Sequence, residues 1–253
     1  MPRLTINNVQ SELRIKKVLQ FLFIVGCLLS IGATSALAQE IDLLWQGDVY
    51  TPPFYEGRAL WTNQSEITLY AVPHIPNPIG GEFSSTELVY KWWKNSTVLG
   101  TANGIGKNSI TFTGSIIDRP QSIKIEILSK DGALLASATR EFSPIVPSLL
   151  IYENNPLYGI MFNREVGSSY KMRGSEITLV AIPLFFSSFE RDPEFLKYSW
   201  RTNAGGSKTS NSVTYRIPEN TSGSSRVNIR VSNEDRIIQS SERSFLLDFN
   251  DNE

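Results

Sequence analysis

The stretch "SEITLYAVP" (65–73) returns almost unchanged as "SEITLVAIP" (175–183), with seven of nine residues identical. Other pairs keep the same order at offsets of 103 to 110 residues: "LVYKWWKN" (88–95) with "LKYSWRTN" (196–203), "NSITF" (108–112) with "NSVTY" (211–215), and "SIKIEILSKD" (122–131) with "RVNIRVSNED" (226–235). Upstream, "LLWQGDVYTPPFYEG" (43–57) matches "LLIYENNPLYG" (149–159) through a leucine pair and a Pro-x-Tyr. Unrelated coincidences would not keep one order, so the chain contains two copies of one unit.

The hydrophobic period within each copy is two. Ile123, Ile125 and Ile127 alternate with Lys124 and Glu126, which is typical of a half-buried strand. Turn-forming stretches such as "NGIGKN", "SKDG" and "NAGGSK" separate these runs. In the first copy we predict strands at 41–46, 66–72, 88–94, 97–100, 109–113, 122–128 and 134–142. Short strands with frequent turns indicate an antiparallel β-sandwich, so the sequence predicts an all-β chain of two sandwiches in tandem.

The middle of each copy carries a recognisable motif. The stretch "YKWWKNSTVLGTANGIGKNSITF" (90–112) resembles the middle of bacterial Ig-like domains, with Tyr-x-Trp, a polar turn and a Ser/Thr-rich strand. The second copy repeats it as Tyr198-x-Trp200 followed by "NSVTY". The resemblance implies an Ig-like fold and carries no activity with it. Antibody-type domains have a cysteine pair that is missing here.

Alternation along the Tyr-x-Trp strands predicts which aromatic side chains enter the cores. Tyr90 and Trp92 face one side of their strand, and Tyr198 and Trp200 repeat this pair. We expect these four residues to pack between the sheets. Trp93 faces the opposite side.

The N-terminal 38 residues have the pattern of an export signal. A basic stretch (14–17) precedes an apolar run (18–33), and Ala36-x-Ala38 offers a cleavage site. The favoured interpretation is a cleaved signal peptide and an exported protein that is periplasmic, on the cell surface or extracellular. Two alternatives stay open: an uncleaved membrane anchor through residues 18–38, or lipidation at Cys27.

The remaining boundaries follow from the repeat. We predict a first sandwich at 39–143, a proline linker at 144–147, a second sandwich at 148–248 and an acidic polar tail at 249–253. The C-terminal "LDFNDNE" resembles the calcium-binding linker between cadherin repeats. Such a site also needs acids from two neighbouring domains, so a solvated tail is the favoured interpretation, with calcium binding as the alternative.

Charge and composition narrow the functional classes. The formal net charge is −1, and no basic stripe is present, so we predict no nucleic-acid partner. His74 is the single histidine and Cys27 the single cysteine, which disfavours a Ser-His-Asp or Cys-His arrangement and a zinc site. Many acidic pairs exist, but no spacing selects one for glycoside hydrolysis. We therefore predict no catalytic residues, no metal site, no cofactor and no enzyme activity.

Aromatic residues in loops are the candidates for binding. Tyr55 and Trp61 lie in "YTPPFYEGRALW" (50–61), and Phe186 lies in "PLFFSSFERDPEF" (183–195). Together with Trp93 they could stack on sugars or dock a protein. The alternative for these side chains is core filling, or packing of one sandwich on the other.

Two functional hypotheses follow. The first is a non-enzymatic envelope or surface protein whose modules bind another protein or act as a spacer, for example by strand addition at an open sheet edge. The second is a pair of carbohydrate-binding modules that recognise glycans through exposed aromatic residues.

Overall fold

A computed structural model of the chain describes residues 40–250, apart from Asp118, Pro218 and Asn220. The described residues form strands joined by turns, with one short 3₁₀ helix at Gly100–Ala102. The strands of the first copy are β1 (Glu40–Gly47), β2 (Glu66–His74), β3 (Val89–Lys94), β4 (Thr97–Val98), β5 (Gly104–Ile105), β6 (Ser109–Thr113), β7 (Gln121–Leu128) and β8 (Leu134–Phe142). The seven strands predicted for this copy are present, with ends within two residues of those expected.

The first copy is a sandwich of two antiparallel sheets. One sheet has the order β1-β2-β6 and the other β4-β3-β7-β8, with β5 paired to β3. Three strands of one sheet facing the hairpin-linked strands of the other is the arrangement of Ig-like sandwiches. Ile67, Leu69, Ile123, Ile125 and Trp92 lie in the buried cluster between the sheets.

The second copy repeats this plan with two additions. Its strands are β9 (Ser148–Asn155), β10 (Gly159–Glu165), β11 (Ser169–Lys171), β12 (Glu176–Leu184), β13 (Leu196–Thr202), β14 (Ser207–Lys208), β15 (Ser212–Arg216), β16 (Ser222–Asn233) and β17 (Ser240–Asn250). The sheets have the orders β10-β9-β12-β15 and β11-β17-β16-β13-β14. Strand β10 extends the first sheet, and β11 pairs in parallel with β17. The protein is therefore all-β, with two Ig-like sandwiches in tandem.

Strand register reproduces the duplication in space. Thr68 lies opposite Thr111 and their hydroxyls are 2.9 Å apart, while Thr178 lies opposite Thr214 at 2.8 Å. Hydroxyl pairs of this kind across neighbouring strands stabilise a sheet. The repeat is thus one of pairing as well as of sequence.

The upstream leucine pairs do not occupy equivalent positions. Leu43 lies opposite Ala71, whereas Leu149 lies opposite Pro183. Ala71 corresponds to Ala181, so the register equivalent of Leu43 is Ile151. The shift is two residues, which keeps every side chain on the same face of its strand.

The Tyr-x-Trp residues lie where the sequence predicts, between the sheets. Tyr90, Trp92, Tyr198 and Trp200 are buried. The indole N–H of Trp92 donates to the Lys107 carbonyl at 2.9 Å, and that of Trp200 to the Ser210 carbonyl at 2.9 Å. Each indole thereby satisfies its one polar group inside the core.

A tight hairpin joins β3 to β4. Asn95 and Ser96 have φ of 49° and 67°, the left-handed pair that a two-residue hairpin turn requires. The Asn95 side chain donates to Gln121 and accepts from the Ser122 backbone N–H at 2.9 Å. These bonds hold the turn against the neighbouring strand β7.

Several predicted features lie outside the described residues. They are the signal peptide, the cleavage residues Ala36 and Ala38, the possible anchor at 18–38 and Cys27. Within residues 40–250 no helix is long and apolar enough to cross a membrane. Strand β17 continues to Asn250, and Phe249 packs against the second core, so these two residues belong to the sandwich rather than to the expected tail.

Candidate binding site

The connection between β1 and β2 reaches from the first sandwich to the second. We call residues 48–64 the docking segment. The Tyr50 backbone N–H donates to the Phe186 carbonyl at 2.9 Å, and the Phe185 N–H donates back to the Tyr50 carbonyl at 2.9 Å. This reciprocal pair joins the docking segment to the chain directly after β12.

Aromatic side chains of the docking segment pack on the second sandwich. The ring of Phe54 lies 4.4 Å from that of Phe162 and 5.9 Å from that of Tyr152, measured between ring centroids. Tyr55 meets Phe185 edge-on at 5.5 Å. Such edge-on and tilted contacts stabilise beyond the area they bury. The docking segment therefore fastens the two sandwiches to each other.

The surface beneath Phe54 is a small apolar cluster outside the second core. Tyr152, Val180 and Ile182 are buried together there, with Ile160 packed at the edge. Their strand neighbours Leu179 and Ala181 point the other way, into the main core. Strand β12 is therefore buried on both of its faces.

A buried amide joins three segments at the same junction. Gln239 donates through Nε2 to the Asn63 carbonyl at 2.8 Å and to the Ser187 hydroxyl at 2.7 Å. Its Oε1 accepts from the Ser187 backbone N–H at 3.0 Å and from the Asn233 amide at 3.1 Å. A buried amide with partners on both sandwiches fixes their relative position, because breaking the junction would leave several polar groups unpaired.

Two of the four predicted binding residues are core residues. Trp61 is 2% exposed, and its indole N–H donates to the Ser65 carbonyl at 3.2 Å. Phe186 is fully buried in the second core. Neither can stack on a sugar, so the prediction that they bind a ligand through an exposed ring is wrong. Loop position suggested exposure, but both side chains turn inward to close the ends of the sandwiches.

The other two predicted residues lie apart from each other. Tyr55 is half-buried against Phe185, and its hydroxyl donates to the Arg58 carbonyl at 3.1 Å. Trp93 is half-buried on a different sheet, with the Lys124 ammonium 5.6 Å from its ring centroid. The four aromatic residues therefore do not form one flat platform.

Trp93 lies beside a charged pair on strand β7. The Lys124 ammonium is 2.6 Å from the Glu126 carboxylate. This hydrogen bond lowers the pKa of Glu126. The Trp93 ring is thus packed against neighbouring side chains of its own sheet, with the Lys124 cation over it.

A cleft opens beside the Gln239 junction, between the two sandwiches. Its volume is about 520 Å³, and residues of both sandwiches line it. The acidic lining residues are Asp48, Glu66, Glu190, Glu194 and Asp235, against one base, Arg236. Phe189 is 87% exposed at the cleft and offers an apolar surface.

The lining suits a positively charged ligand with an apolar part. Clustered carboxylates set a negative potential in a concave site and raise the local concentration of cations. The exposed ring of Phe189 adds contact area at low conformational cost. Sequence reasoning missed this cleft; the acidic residues around Phe189 in "FERDPEF" (189–195) could have indicated the second sandwich's part of it, but nothing in the sequence indicated the part from the first sandwich.

His74 lies at the other end of the first sandwich. Its Nε2 is 3.3 Å from the Asp42 carboxylate and its Nδ1 is 3.6 Å from that of Glu82. All three side chains are largely exposed. Among residues 40–250, as far as they are described, no three histidine, cysteine or carboxylate side chains come together to hold a metal ion.

Comparisons with known proteins identify no family for the chain. Neither the protein-family models nor the curated proteins contain a match. Among solved structures, the fibronectin(III)-like modules of CbhA from Clostridium thermocellum align with 13% identity, 81% of this chain, 94% of theirs and a TM-score of 0.28. The ectodomain of mouse nectin-like molecule 4 aligns with 10% identity, 83% of this chain, 63% of its own and a TM-score of 0.28. These values carry no argument about function, and the fold rests on the strand order described above.

Proposed function

We propose that this is a non-enzymatic, exported binding protein whose paired Ig-like sandwiches engage a protein of the cell envelope or surface. The observation that carries the proposal is the cleft between the sandwiches, which is lined by both of them and held open by the Gln239 junction. A site that already has its bound shape loses less entropy on binding than a flexible one.

The partner that this cleft suits is a protein segment with basic and apolar side chains. Glu190 and Glu194 come from the same loop as Phe189, so one bound segment could meet charge and ring together. Export is supported by the signal-like pattern of residues 14–38. A second role as a spacer follows from the fixed junction between the two sandwiches.

The proposal is tested by placing a photo-crosslinking phenylalanine analogue at position 189 in cells that produce the protein. The matched control places it at Ile79, which is exposed on a loop of the first sandwich away from the cleft. We expect a defined protein adduct from position 189 alone, identified by mass spectrometry.

A charge-reversed variant decides whether the cleft is responsible. Glu190→Lys with Glu194→Lys should abolish the adduct at 189, while the circular dichroism spectrum stays that of the parent protein. Equal adducts from positions 189 and 79 would overturn the proposal. Retention on polysaccharide with no protein adduct would replace it with the carbohydrate-binding hypothesis.

A further inference from the structure

Each copy has a Pro-x-Tyr with an apolar middle residue after its first strand, and among the described residues only the first of the two packs on the other sandwich. In the first copy, Pro53-Phe54-Tyr55 places Phe54 and Tyr55 on the second sandwich. In the second copy the same Pro-x-Tyr pattern recurs as Pro156-Leu157-Tyr158, directly after β9. Leu157 is 84% exposed and Tyr158 is 77% exposed. This apolar pair sits in the turn between β9 and β10.

The turn that carries Leu157 and Tyr158 has a defined shape. The Asn155 side-chain oxygen accepts from the Leu157 N–H at 2.9 Å and from the Tyr158 N–H at 3.3 Å. The flanking residues Asn155 and Gly159 are paired across the hairpin. An exposed apolar tip held in one conformation is poised for contact at little entropic cost.

The receiving surface is also present twice, and in the part of the chain that the structure describes only the copy on the second sandwich is covered. On the second sandwich it is the buried cluster of Tyr152, Val180 and Ile182, against which Phe54 packs. Strand register makes Leu44, Tyr70 and Val72 the equivalent residues of the first sandwich. Their exposed fractions are 50%, 46% and 38%.

Among the described residues, no strand pairs with the outer edge of β1 beside this face in the first sandwich. Strand β1 pairs on one side with β2, whereas its counterpart β9 is covered by β10. An open edge next to an apolar face can accept an added strand or hairpin. The first sandwich thus lacks, in the described residues, both of the elements that cover the second.

We propose that the hairpin tip Pro156–Tyr158 of one molecule docks on the outer face of β1 and β2 in a second copy of the chain. The contact repeats between molecules the arrangement that the docking segment makes within one molecule. Tip and face lie on different sandwiches, so the contact is head-to-tail. A head-to-tail contact that does not close into a ring generates chains of molecules. The cleft plays no part in this contact, so the proposal stands or falls independently of the proposed function.

Complementary variants give the most direct test. The tip variant carries Leu157→Ser and Tyr158→Ser, the face variant carries Leu44→Lys and Tyr70→Lys, and the control carries Val98→Ser, another exposed aliphatic residue on a strand. In sedimentation velocity over a concentration series, the parent and control proteins should grow beyond dimers. Each variant alone should stay monomeric. Their mixture should stop at dimers, because the intact tip of the face variant can dock on the intact face of the tip variant, and no further intact pair is left.

Three results would overturn the proposal. They are a parent protein that stays monomeric at every concentration, a parent that stops at a dimer, or variants that associate as the parent does. Cysteine pairs give a second measurement that does not depend on weakening the contact. Since residues 40–250 contain no cysteine, Tyr158→Cys with Tyr70→Cys should give a ladder of multimers with a short bismaleimide, and either substitution alone should give no ladder. Absence of the ladder from the double variant would equally refute head-to-tail contact.

Discussion

The connections after the first strand of each copy, residues 48–65 and 156–175, begin from related sequences and end in different structures. The first leaves its own sandwich and packs on the next one through Phe54 and Tyr55. The second folds back as β10 and then crosses to form β11 beside β17. The two copies therefore share the strand pairing of their cores and differ in the segments that cover their outer surfaces.

The difference shows what exposes or buries a strand in a sandwich. Tyr70 and Val180 hold equivalent positions, yet Tyr70 is exposed and Val180 is buried. The residues themselves do not account for this, since tyrosine and valine both suit strands. A neighbour covers one face and leaves the other bare. Burial at these positions is therefore decided by the covering elements, β10 and the docking segment, rather than by the residue itself.

The largest loss of stability should come from removing the core tryptophan that both copies share. Trp200→Ala and Trp92→Ala should each lower the free energy of unfolding by about 3–5 kcal/mol, because a core tryptophan leaves a cavity. Each change also leaves a carbonyl, of Ser210 or Lys107, without its donor. Urea denaturation followed by circular dichroism measures the loss. Similar losses of unfolding free energy in the two variants would support equivalent cores. A loss in only one of them would show that the two cores are not equivalent.

The next largest effect concerns the buried Gln239 junction, through which the docking segment of the first sandwich is bonded to the second sandwich. Gln239→Leu should lower the free energy of unfolding by about 2–4 kcal/mol, because the Asn63 carbonyl and the Ser187 N–H lose their partner. Gln46→Leu is the control, since Gln46 is exposed on β1 and should change stability by less than about 0.5 kcal/mol. Equal behaviour of the two variants in urea denaturation would show that the junction is not closed in solution.

A smaller effect compares the two docking elements directly. Phe54→Ala should lower the free energy of unfolding by about 1–2 kcal/mol, because Phe54 packs on Tyr152 and Phe162. Leu157→Ala, at the matching place, should change it by less than about 0.5 kcal/mol when measured on dilute, monomeric protein. Equal losses from both variants would mean that Leu157 is covered within its own molecule.

The smallest effect is a dependence on alkaline pH to which two tyrosines of the second sandwich contribute. Burial and a hydrogen bond to Glu153 raise the pKa of Tyr170 to about 12, and burial raises the pKa of Tyr215 to about 12. A raised pKa means that the fold favours the protonated phenol, so this stability is fully present below pH 10 and is lost as pH rises toward 12.

The same experiment has a simple control. In urea titrations at a series of pH values, the parent protein should lose stability between about pH 10 and 12, the ordinary and raised values of a buried tyrosine. Tyr170→Phe removes the phenol that donates to Glu153 at 2.5 Å, so its stability should fall less steeply over that range. Identical slopes for the two proteins would show that Tyr170 titrates normally.

The strands and the core aromatic residues could be predicted from sequence because each depends on its own neighbours. Alternation in "SIKIEIL" assigns Ile123, Ile125 and Ile127 to one face whatever surrounds the strand. The duplication gave a second, independent instance of the motif, since Trp92 and Trp200 were both predicted to be core residues. The short strand β5 was not predicted, because its two residues carry no detectable period.

The candidate site could not be predicted in the same way. Trp61 and Phe186 lie in loops, and nothing in the adjacent residues shows that their rings turn inward. Gln239 sits in a polar stretch and looks like a surface residue, yet it is buried against Asn63 and Ser187. The cleft brings Glu66 near Glu190, which are far apart in the chain. Contacts of this kind depend on how one sandwich meets the other.

The sequence by itself determined that this protein is two copies of one β-sandwich, because strand pairing and core filling follow from local alternation and from the order of the repeats. Tertiary structure alone decided which copy of each surface is covered. The apolar cluster on the outer face of β9 and β12 is packed by Ile160 of β10 and by Phe54 of the docking segment, while the equivalent face of β1 and β2 is exposed in the described residues. The physical reason is that burial of an outer face depends on a distant segment of the chain, and the free energy gained there comes from a contact that no local pattern encodes.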